Sequence, residues 1–581
     1  MSEKHSFRKS MKFIFPYMKN YRWRLFVAFI CSLFYVFTFI YIPIVAGHAL
    51  DAMKDGVDFN VVYLDIAKIA TSALVGGVFY WGLSYLSGYS AYSIARDIRR
   101  DSMQKILYSK MSYLDGSHHG DIITTITADV DFVSDGLIQV FLQMFTGFFS
   151  IVGTIVFMSI LCWPLALIVI GLTPLSMIAA GFIARGTAHT FKNQSDVRGE
   201  LGNFYNENLT SQQVIISENH QLEAEKDADE IALRLKHYDF WTQFFAAFIN
   251  PTTRMLNAII YGTVATVGAI YIVNGEYALS AGDLMTFLMF TTNYTKPFNE
   301  ISNVVAQLQN SFASIGRLRE LFQTPEVSGE EGKPDLKLQS GSIDIDDVHF
   351  SYNERREIIK GISINVKQGD TVALVGTTGC GKTTLINLIM RYYEPNSGVI
   401  KVSGQDITGV NRKSLRNTFG MVLQDTWVFK GTIRENIKYG KLDATDEEIV
   451  AAAKKANAHF FIKQMKDGYD TYIDDENGLS QGQQQLLCIA RLMLKEPEML
   501  ILDEATSNID TRTELLIQDG FEQMMDGHTS IIIAHRLSTI EKADVILVMN
   551  KGVIMEKGTH KQLLAKKGFY ANLYMSQFAQ V

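Results

Sequence analysis

The chain has 581 residues, too many for one compact domain, and 47% of them are hydrophobic while only 20% are charged. The formal net charge of −7 lacks the broad basic balance of nucleic-acid-binding proteins, so we expect no nucleic-acid partner. The four cysteines are scattered and show no disulfide framework or metal-ligand spacing. Composition divides the chain into a half with long apolar runs, up to about Gln323, and a soluble α/β half from Gly341 onward.

Uncharged runs dominate the first half. No Asp, Glu, Lys or Arg occurs between Arg24 and Asp51, and this run exceeds the roughly 20 residues needed to cross a bilayer. Four comparable runs follow, between Lys68 and Arg96, Asp135 and Arg185, Arg254 and Glu276, and Asp283 and Lys296. The run from Asp135 to Arg185 is long enough for two spans with a turn at Trp163-Pro164. We therefore predict an α-helical membrane domain of six spans over residues 1–323.

Charge asymmetry predicts how this domain is oriented. Basic residues precede the first span and aspartates crowd the loop after it: Lys4, Arg8, Lys9, Lys12, Lys19, Arg22 and Arg24, against Asp51, Asp55, Asp58 and Asp65. The positive-inside rule then places the N-terminus in the cytoplasm, and the protein in the cytoplasmic (inner) membrane. Six spans return the C-terminal half of the chain to the cytoplasm.

Two polar loops, at about Arg96 to Asp135 and Arg185 to Asp239, keep helical periodicity. They would carry helices well beyond the roughly 30 Å hydrocarbon layer. We expect short helices at the tips, near Tyr113 to Asp121 and Ser211 to Gln221. Aromatic residues are scattered along the spans and no charged residue is evident near mid-span, which favours a hydrophobic or amphiphilic cargo. Arg254 and Lys296, near the ends of their spans, could still meet an anion.

Residues 324–340 lose periodicity and gather Pro, Gly and charge, so we predict a linker there and a second domain over residues 341–581. An apolar strand, a glycine-rich turn and a helix follow from Thr371 to Ile389, and the turn matches the phosphate-binding motif G-x-x-x-x-G-K-[ST]. Backbone N–H groups of such a turn curl round the β-phosphate, Lys382 neutralises the β/γ oxygens, and Thr383 ligates magnesium. We predict that ATP and Mg²⁺ bind here, with these contacts: Gly376, Thr377, Thr378, Gly379, Cys380, Gly381, Lys382, Thr383 and Thr384.

A second motif, MLILDEATSNID, covers Met499 to Asp510. Its continuous apolar run ending in an acid is typical of a buried parallel strand, which would deliver Asp503 to the magnesium ion. Glu504 follows immediately and is placed to polarise the water that attacks the γ-phosphate. This half of the chain is thus predicted to be an α/β P-loop nucleotide-binding domain.

With these motifs in order, the whole chain resembles ATP-binding-cassette (ABC) exporters, in which a six-helix membrane domain precedes a nucleotide-binding domain. The resemblance implies that Tyr352 stacks on adenine and that Gln424 senses magnesium and contacts the membrane domain. It also implies that His535 holds the γ-phosphate and that Asp510 reaches across a dimer. The sequence LSQGQ, Leu479 to Gln483, resembles the family signature, which faces the nucleotide of the opposite chain through Ser480, Gly482 and Gln483.

The signature departs from the commonest form of the family, which has Gly at the third position and usually a basic residue after the motif. This chain has Gln481 and Gln484 at those places. The Gln481 side chain would lie where two backbones approach closely. It would weaken the nucleotide site that this signature completes on the partner's P-loop. The nucleotide site built on this chain's Lys382, Asp503 and Glu504 would not be affected. The pattern resembles the catalytically intact chain of heterodimeric bacterial multidrug exporters; a homodimer that tolerates glutamine is the alternative.

The resemblance implies ATP-driven export of hydrophobic or amphiphilic compounds by alternating access, as one half of a dimer in the lipid bilayer. A lipid flippase or a peptide exporter would use the same machinery and is an open alternative. An ATP-gated channel or a regulatory subunit would tolerate loss of the hydrolytic base, so Glu504 and His535 argue against that class.

Overall fold

The computed structural model describes residues 7–53, 59–327, 330, 332–353, 356–423, 426–474, 478–503, 509–533 and 537–577. Within helices, the described part leaves out the side chains of residues 7–8, 176–177, 180, 183–189, 246, 249–250, 299–306, 309 and 537–538. The chain forms two compact units. Unit 1 comprises Met1–Leu107 and His119–Thr324, and unit 2 comprises Tyr108–His118 and Pro325–Val581.

The N-terminal part of the chain is helical throughout. Its helices are α1 (Phe7–Asn20), α2 (Arg22–Asp51), α3 (Phe59–Leu107), α4 (Met111–Gly116), α5 (His119–Thr124), α6 (Val130–Gln139), α7 (Phe145–Thr210), α8 (Gln212–Ser217), α9 (Gln221–Ala247), α10 (Ile249–Asn274) and α11 (Ala281–Gln323). Two π-helical segments, Thr125–Asp129 and Val140–Met144, flank α6, and a 3-10 turn, Glu276–Ala278, precedes α11. Short helices therefore occur at both predicted loop tips, as α4 and α8.

Four helical stretches among the described residues are long and apolar enough to cross a membrane: Arg22–Asp51, Phe59–Leu107, His119–Leu175 and Pro251–Asn274. Helix α7 breaks at Cys162, whose backbone is extended (φ −159°, ψ 98°). The break lies next to the turn predicted at Trp163-Pro164, because Pro164 has no amide hydrogen to donate to the carbonyl of Ile160, four residues earlier, and the helix is loosened between them. The third stretch thus contains two helices. Helix α11, which contains the sixth predicted span, is not among the four, because Asp283 and Lys296 limit its uncharged run; the sixth span stays a prediction.

The core of unit 1 forms where α2, α7, α10 and α11 pack together. Its buried side chains include Val36, Ile40, Met158, Leu165, Phe287 and Phe290. At the Asp51 end of α2, Gly47 and Gly282 bring the backbones of α2 and α11 together, because a Cβ on Gly47 would lie 2.4 Å from the carbonyl oxygen of Gly282. Asp51 stabilises this close packing of α2 and α11 by accepting a hydrogen bond from the Gly282 amide at 2.8 Å.

Unit 2 contains the strands and the remaining helices. The strands are β1 (Ile343–Phe350), β2 (Ile359–Val366), β3 (Thr371–Gly376), β4 (Ser397–Val402), β5 (Gln405–Asp406), β6 (Phe419–Val422), β7 (Gly431–Thr432), β8 (Tyr472–Ile473), β9 (Met499–Asp503), β10 (Thr529–Ile533), β11 (Val545–Asn550) and β12 (Val553–Gly558). The helices are α12 (Lys382–Ile389), α13 (Arg412–Thr418), α14 (Ile433–Lys438), α15 (Asp446–Lys455), α16 (His459–Gln464), α17 (Gln481–Lys495), α18 (Thr511–Met525), α19 (Leu537–Lys542), α20 (His560–Ala565) and α21 (Phe569–Gln577).

The central sheet of unit 2 has six strands in the order β12-β11-β3-β10-β9-β6. Strands β9 and β10 are buried along their whole length and pair in parallel, which explains the apolar runs Met499–Leu502 and Ile531–Ile533. A second sheet, in the order β2-β1-β4-β5, is antiparallel and alternates buried with more exposed side chains along β2. The predicted P-loop domain is therefore an α/β structure with a mainly parallel core.

The predicted linker packs along unit 2 where it is described. Glu330 accepts hydrogen bonds from the amide and guanidinium of Arg412, at 2.8 and 2.9 Å. It also lies 3.2 Å from the guanidinium of Arg391, which is only 2% exposed. A buried cation needs carboxylate partners, and the linker supplies one of them. This contact holds the segment before β1 against the domain.

Candidate functional site

The predicted phosphate-binding residues gather at one edge of the central sheet. Strand β10 pairs in parallel with β3 on one side and with β9 on the other, so the carboxyl ends of all three strands share that edge. Ile533 of β10 lies beside Leu374 of β3 and beside Asp503 of β9. The loop after β3 and the carboxylate of Asp503 therefore flank the end of β10. Ligands of open α/β sheets bind at such an edge.

The loop from β3 to α12 adopts backbone conformations that favour glycine. Gly379 and Gly381 have φ of +77° and +109°, and a Cβ on Gly376 would lie 2.2 Å from the carbonyl oxygen of Met549. Lys382 begins α12 and is buried, and its ammonium donates to the carbonyl oxygens of Gly376 at 2.9 Å and Thr377 at 3.4 Å. The ammonium is thus held against the loop that must surround the phosphates.

Exposure separates the remaining P-loop residues into two groups. Thr377, Thr378, Gly379 and Thr383 are exposed, whereas Cys380 and Thr384 are buried. The exposed Thr383 hydroxyl and the Asp503 carboxylate supply hard oxygen donors of the type that Mg²⁺ prefers, so the residues present fit that ion. The buried Thr384 hydroxyl accepts a hydrogen bond from the phenol of Tyr352 at 3.2 Å.

Tyr352 is positioned by two further aromatic rings. Its ring lies 4.9 Å from that of Phe350 and 4.9 Å from that of Tyr393, nearly perpendicular to both, at 84° and 89°. Edge-to-face packing of this kind fixes the ring plane. The side chain remains 47% exposed, which leaves ring surface for a base to stack on.

The signature residues lie at the start of α17. Ser480 caps the helix in a capping box, in which its hydroxyl accepts from the Gln483 amide at 3.3 Å and the Gln483 side chain accepts from the Ser480 amide at 3.0 Å. The first backbone hydrogen bond within the helix runs from Gln484 to Ser480. The backbone N–H groups of Gln481 and Gly482 therefore have no hydrogen-bond partner within the helix and point out of its N-terminus. N–H groups in this position can bind an anion.

Two structural constraints act near the signature. Gly482 packs on the start of α18, because a Cβ there would lie 2.5 Å from Cγ2 of Thr513 and 3.0 Å from Cγ2 of Ile509. Asp510 caps α18 by accepting from the Thr513 amide at 2.9 Å. The hydrogen bonds from the Thr513 amide and hydroxyl hold the pKa of Asp510 below its usual range. Among the described residues, no hydrogen bond joins the signature residues or Asp510 to the P-loop.

Three predicted catalytic residues, Gln424, Glu504 and His535, lie outside the described residues. The strands before them are described: β6 ends at Val422, β9 at Asp503 and β10 at Ile533. The roles of the three residues therefore remain sequence-based predictions.

The structure also reveals residues that the sequence analysis missed. Tyr393 packs on Tyr352 and donates a hydrogen bond to Asp115 of α4. In unit 1, Gln139, Gln143 and Asn293 line one cavity. Polar residues within apolar runs were the available signal, but their spacing does not show that they share a cavity.

Two family models match the chain: the ABC transporter transmembrane region over residues 25–298 and the ABC transporter model over residues 359–507. An uncharacterized ABC transporter ATP-binding protein of Bacillus subtilis (strain 168), YfiC, is 35% identical over 538 residues, covering 92% of this chain and 89% of that protein. The fatty acid ABC transporter ATP-binding/permease protein of Mycobacterium bovis is 36% identical over 516 residues, covering 89% of this chain and 81% of that protein.

The ATP-dependent lipid A-core flippase of Saccharophagus degradans is 31% identical over 524 residues, covering 89% of this chain and 87% of that protein. A solved structure of a bacterial Atm1-family ABC exporter with ATP bound aligns with a TM-score of 0.81 and 26% identity, covering 96% of this chain and 99% of that one. Both halves of the chain, in their order, therefore have counterparts. Like ABC exporters generally, the chain works as a dimer, and it binds ATP and couples ATP hydrolysis to transport. The chain belongs to the ABC transporter family and is a membrane-spanning exporter half-transporter.

Proposed function

We propose that this chain exports hydrophobic or amphiphilic compounds, in the manner of a multidrug exporter, by alternating access across the cytoplasmic membrane. One observation carries the proposal: the P-loop that contains Lys382 and the carboxylate of Asp503 flank the end of β10 at one edge of the sheet. The same chain also contains a membrane region. Closure of two such domains on ATP would perform the shift between inward-facing and outward-facing states, because ATP has a higher affinity for the closed state.

We assign the catalytic roles as follows. Lys382 and the P-loop amides hold the β- and γ-phosphates, and Tyr352 stacks on adenine. Thr383, Asp503 and Gln424 would hold Mg²⁺, which when bound neutralises charge on the phosphate oxygens. Glu504 polarises the attacking water and His535 donates to the γ-phosphate.

We propose a heterodimer as the working form. Ser480, Gly482, Gln483 and Asp510 would meet the nucleotide held by the partner chain. Gln481 lies in the first turn of α17 and is exposed, so its side chain would project where the family commonly has glycine. This supports a weakened composite site on the partner's P-loop, beside an intact site on Lys382 of this chain.

A lipid is the second candidate cargo. The relatives named as a fatty acid transporter and as a lipid A-core flippase favour it, since both names describe lipids or lipid-like amphiphiles. The transport machinery proposed for the chain would be the same in either case.

The test is the magnesium-dependent ATPase rate of the full chain in lipid nanodiscs, measured alone and with a candidate partner chain. We expect little turnover alone, robust turnover in the heterodimer, and loss of turnover in Glu504→Gln and Lys382→Ala. Glu504→Gln should still bind ATP, whereas Lys382→Ala should bind it poorly. Robust turnover by the chain alone would replace the heterodimer with a homodimer. A normal rate in Glu504→Gln would refute our assignment of the base.

A further inference from the structure

Unit 1 contains a cavity of about 300 Å³. This volume lies at the lower end of the range of small-molecule sites, roughly 300–1,000 Å³. Residues of α2, α3, α6, α7, α11 and the π segment Val140–Met144 line it, and the polar ones are Gln139, Gln143, Thr146, Ser150, Asn293 and Lys296. The cavity is independent of the nucleotide site, which lies in unit 2.

Lys296 is the one charged side chain among the described residues that line this cavity. It follows Ala281, the first residue of α11, by fifteen positions, or roughly 22 Å along a helix, which is less than the ~30 Å hydrocarbon layer and places it near the end of the span predicted for α11. An ionised side chain inside a membrane is costly unless it faces a cavity and meets a counter-charge. No carboxylate in the described part of the chain forms an ion pair with Lys296. The described residues therefore leave its positive charge available to a ligand.

Neutral hydrogen-bonding groups surround this charge. Gln139 ends α6 and Gln143 lies in the π segment Val140–Met144. A π segment rotates side chains out of the regular helical array and is frequent at functional sites. In α11, Pro297 has no amide hydrogen for the carbonyl of Asn293, four residues earlier, so this helix is locally loosened beside Lys296. The side-chain amides of Gln139, Gln143 and Asn293 can donate to an anion next to the ammonium.

The remaining wall is aromatic. The ring of Tyr35 lies 5.9 Å from that of Phe39 and 5.0 Å from that of Tyr80, and all three side chains line the cavity. One cavity is thus lined by a cation with amide donors and by an apolar ring surface. Among the described residues, its lining contains no carboxylate for a cationic ligand.

We propose that this cavity binds the oxyanion head group of an amphiphile, a carboxylate or a phosphate, with Lys296 as the charge partner and the aromatic rings against the apolar body. This inference rests on the proposed export function and specifies its substrate class. It requires a ligand with one compact anionic end, because the cavity is too small for a large polar group together with a lipid body.

The test compares ligands with the same acyl chain and different ends. Binding of tritiated oleate to the full protein in nanodiscs, with its partner chain if one is required, is competed with oleyl alcohol, oleylamine and oleyl phosphate. We expect oleate to compete at least tenfold better than the alcohol or the amine. Oleyl phosphate distinguishes a phosphate-selective site from a carboxylate-selective one, and strong competition by either anion supports the inference.

Variants at position 296 identify the group responsible. Lys296→Gln should remove the preference for the anion, and Lys296→Arg should retain it; thermal unfolding of both variants checks that they are folded. The side chain of Glu300, one turn further along α11, lies outside the described part of the chain. Glu300→Gln therefore tests whether that carboxylate already neutralises Lys296, and a preference for the anion that arises only in Glu300→Gln would overturn the inference.

The outcomes separate this inference from the proposed function. Equal competition by oleate, the alcohol and the amine, unchanged in Lys296→Gln, would overturn the oxyanion site and leave amphiphile export intact. Failure of every amphiphile to bind or to be transported by a protein with active ATPase would overturn both proposals.

Discussion

The phenolic hydroxyl of Tyr393 donates a hydrogen bond to the carboxylate of Asp115 in α4. Burial, together with this hydrogen bond, raises the pKa of Tyr393 well above its usual value, so the phenol stays protonated and remains the donor. The ring of Tyr393 packs against Tyr352, whose hydroxyl donates to Thr384 in the first turn of α12. In the sequence, α4 lies between the second and third predicted spans. A chain of contacts thus joins this segment to the predicted adenine and phosphate site.

Tyr393→Phe removes the hydrogen bond to Asp115 and keeps the ring that supports Tyr352. We expect the affinity for ATP to change little, whereas stimulation of the ATPase by transported compounds falls, because α4 is no longer tied to the nucleotide site. Nucleotide binding and stimulated ATPase of the full transporter check this. Tyr352→Leu is the matched control and should weaken ATP binding itself. Unchanged stimulation in Tyr393→Phe would show that the hydrogen bond plays no part in coupling.

Gly482→Ala should destabilise unit 2. The new methyl group would lie 2.5 Å from Cγ2 of Thr513, and such overpacking typically costs about 1–3 kcal/mol. Thr513→Ser removes that methyl group, so the double variant should recover part of the lost stability. Thermal unfolding of the purified transporter measures both effects. Gly199→Ala is the control, since a Cβ at Gly199 meets nothing within 4 Å; an equal loss there would indicate a general effect of alanine.

Gln481→Gly tests the weakened composite site. Removing the side chain allows the close backbone approach that the family signature commonly provides. We therefore expect the ATPase rate of the chain alone to rise about tenfold, which is less than the roughly 100- to 1,000-fold that one well-placed hydrogen-bond donor contributes to a rate. Gln481→Glu should lower the rate, because a carboxylate repels the γ-phosphate. Equal rates in all three proteins would mean that position 481 does not limit hydrolysis.

Asp510 should make the start of α18 sensitive to acid. Its folded pKa is lowered by the hydrogen bonds from Thr513, so its contribution to stability is present above the unfolded pKa of about 3.9 and is lost as the pH falls through the lower, folded pKa. Hydrogen exchange of residues 511–516 should therefore accelerate at acid pH beyond the intrinsic trend. Asp510→Asn can cap without titrating, and its exchange should follow the intrinsic trend alone. Parallel profiles for the two proteins would contradict the assigned cap.

The sequence predicted the features that depend on neighbouring residues. The P-loop from Gly376 to Thr383 was identified because its glycines and its lysine act within one turn, and the structure shows the strand, the positive φ angles and the helix start. The break near Trp163-Pro164 was found because proline removes a hydrogen bond from its own turn of helix. Family membership follows from the order of these local motifs and is confirmed by the comparisons.

Only the tertiary structure decided which distant residues meet. Lys296 shares a cavity with Gln139 and Gln143, and Tyr393 meets Asp115, although more than a hundred residues separate each pair in the sequence. Such contacts depend on the rotation of each helix about its axis and on small local shifts, such as the π segment Val140–Met144, which the apolar runs do not encode. The length and order of spans and motifs are local properties of the chain, whereas the chemistry of the cavity arises from how the helices pack.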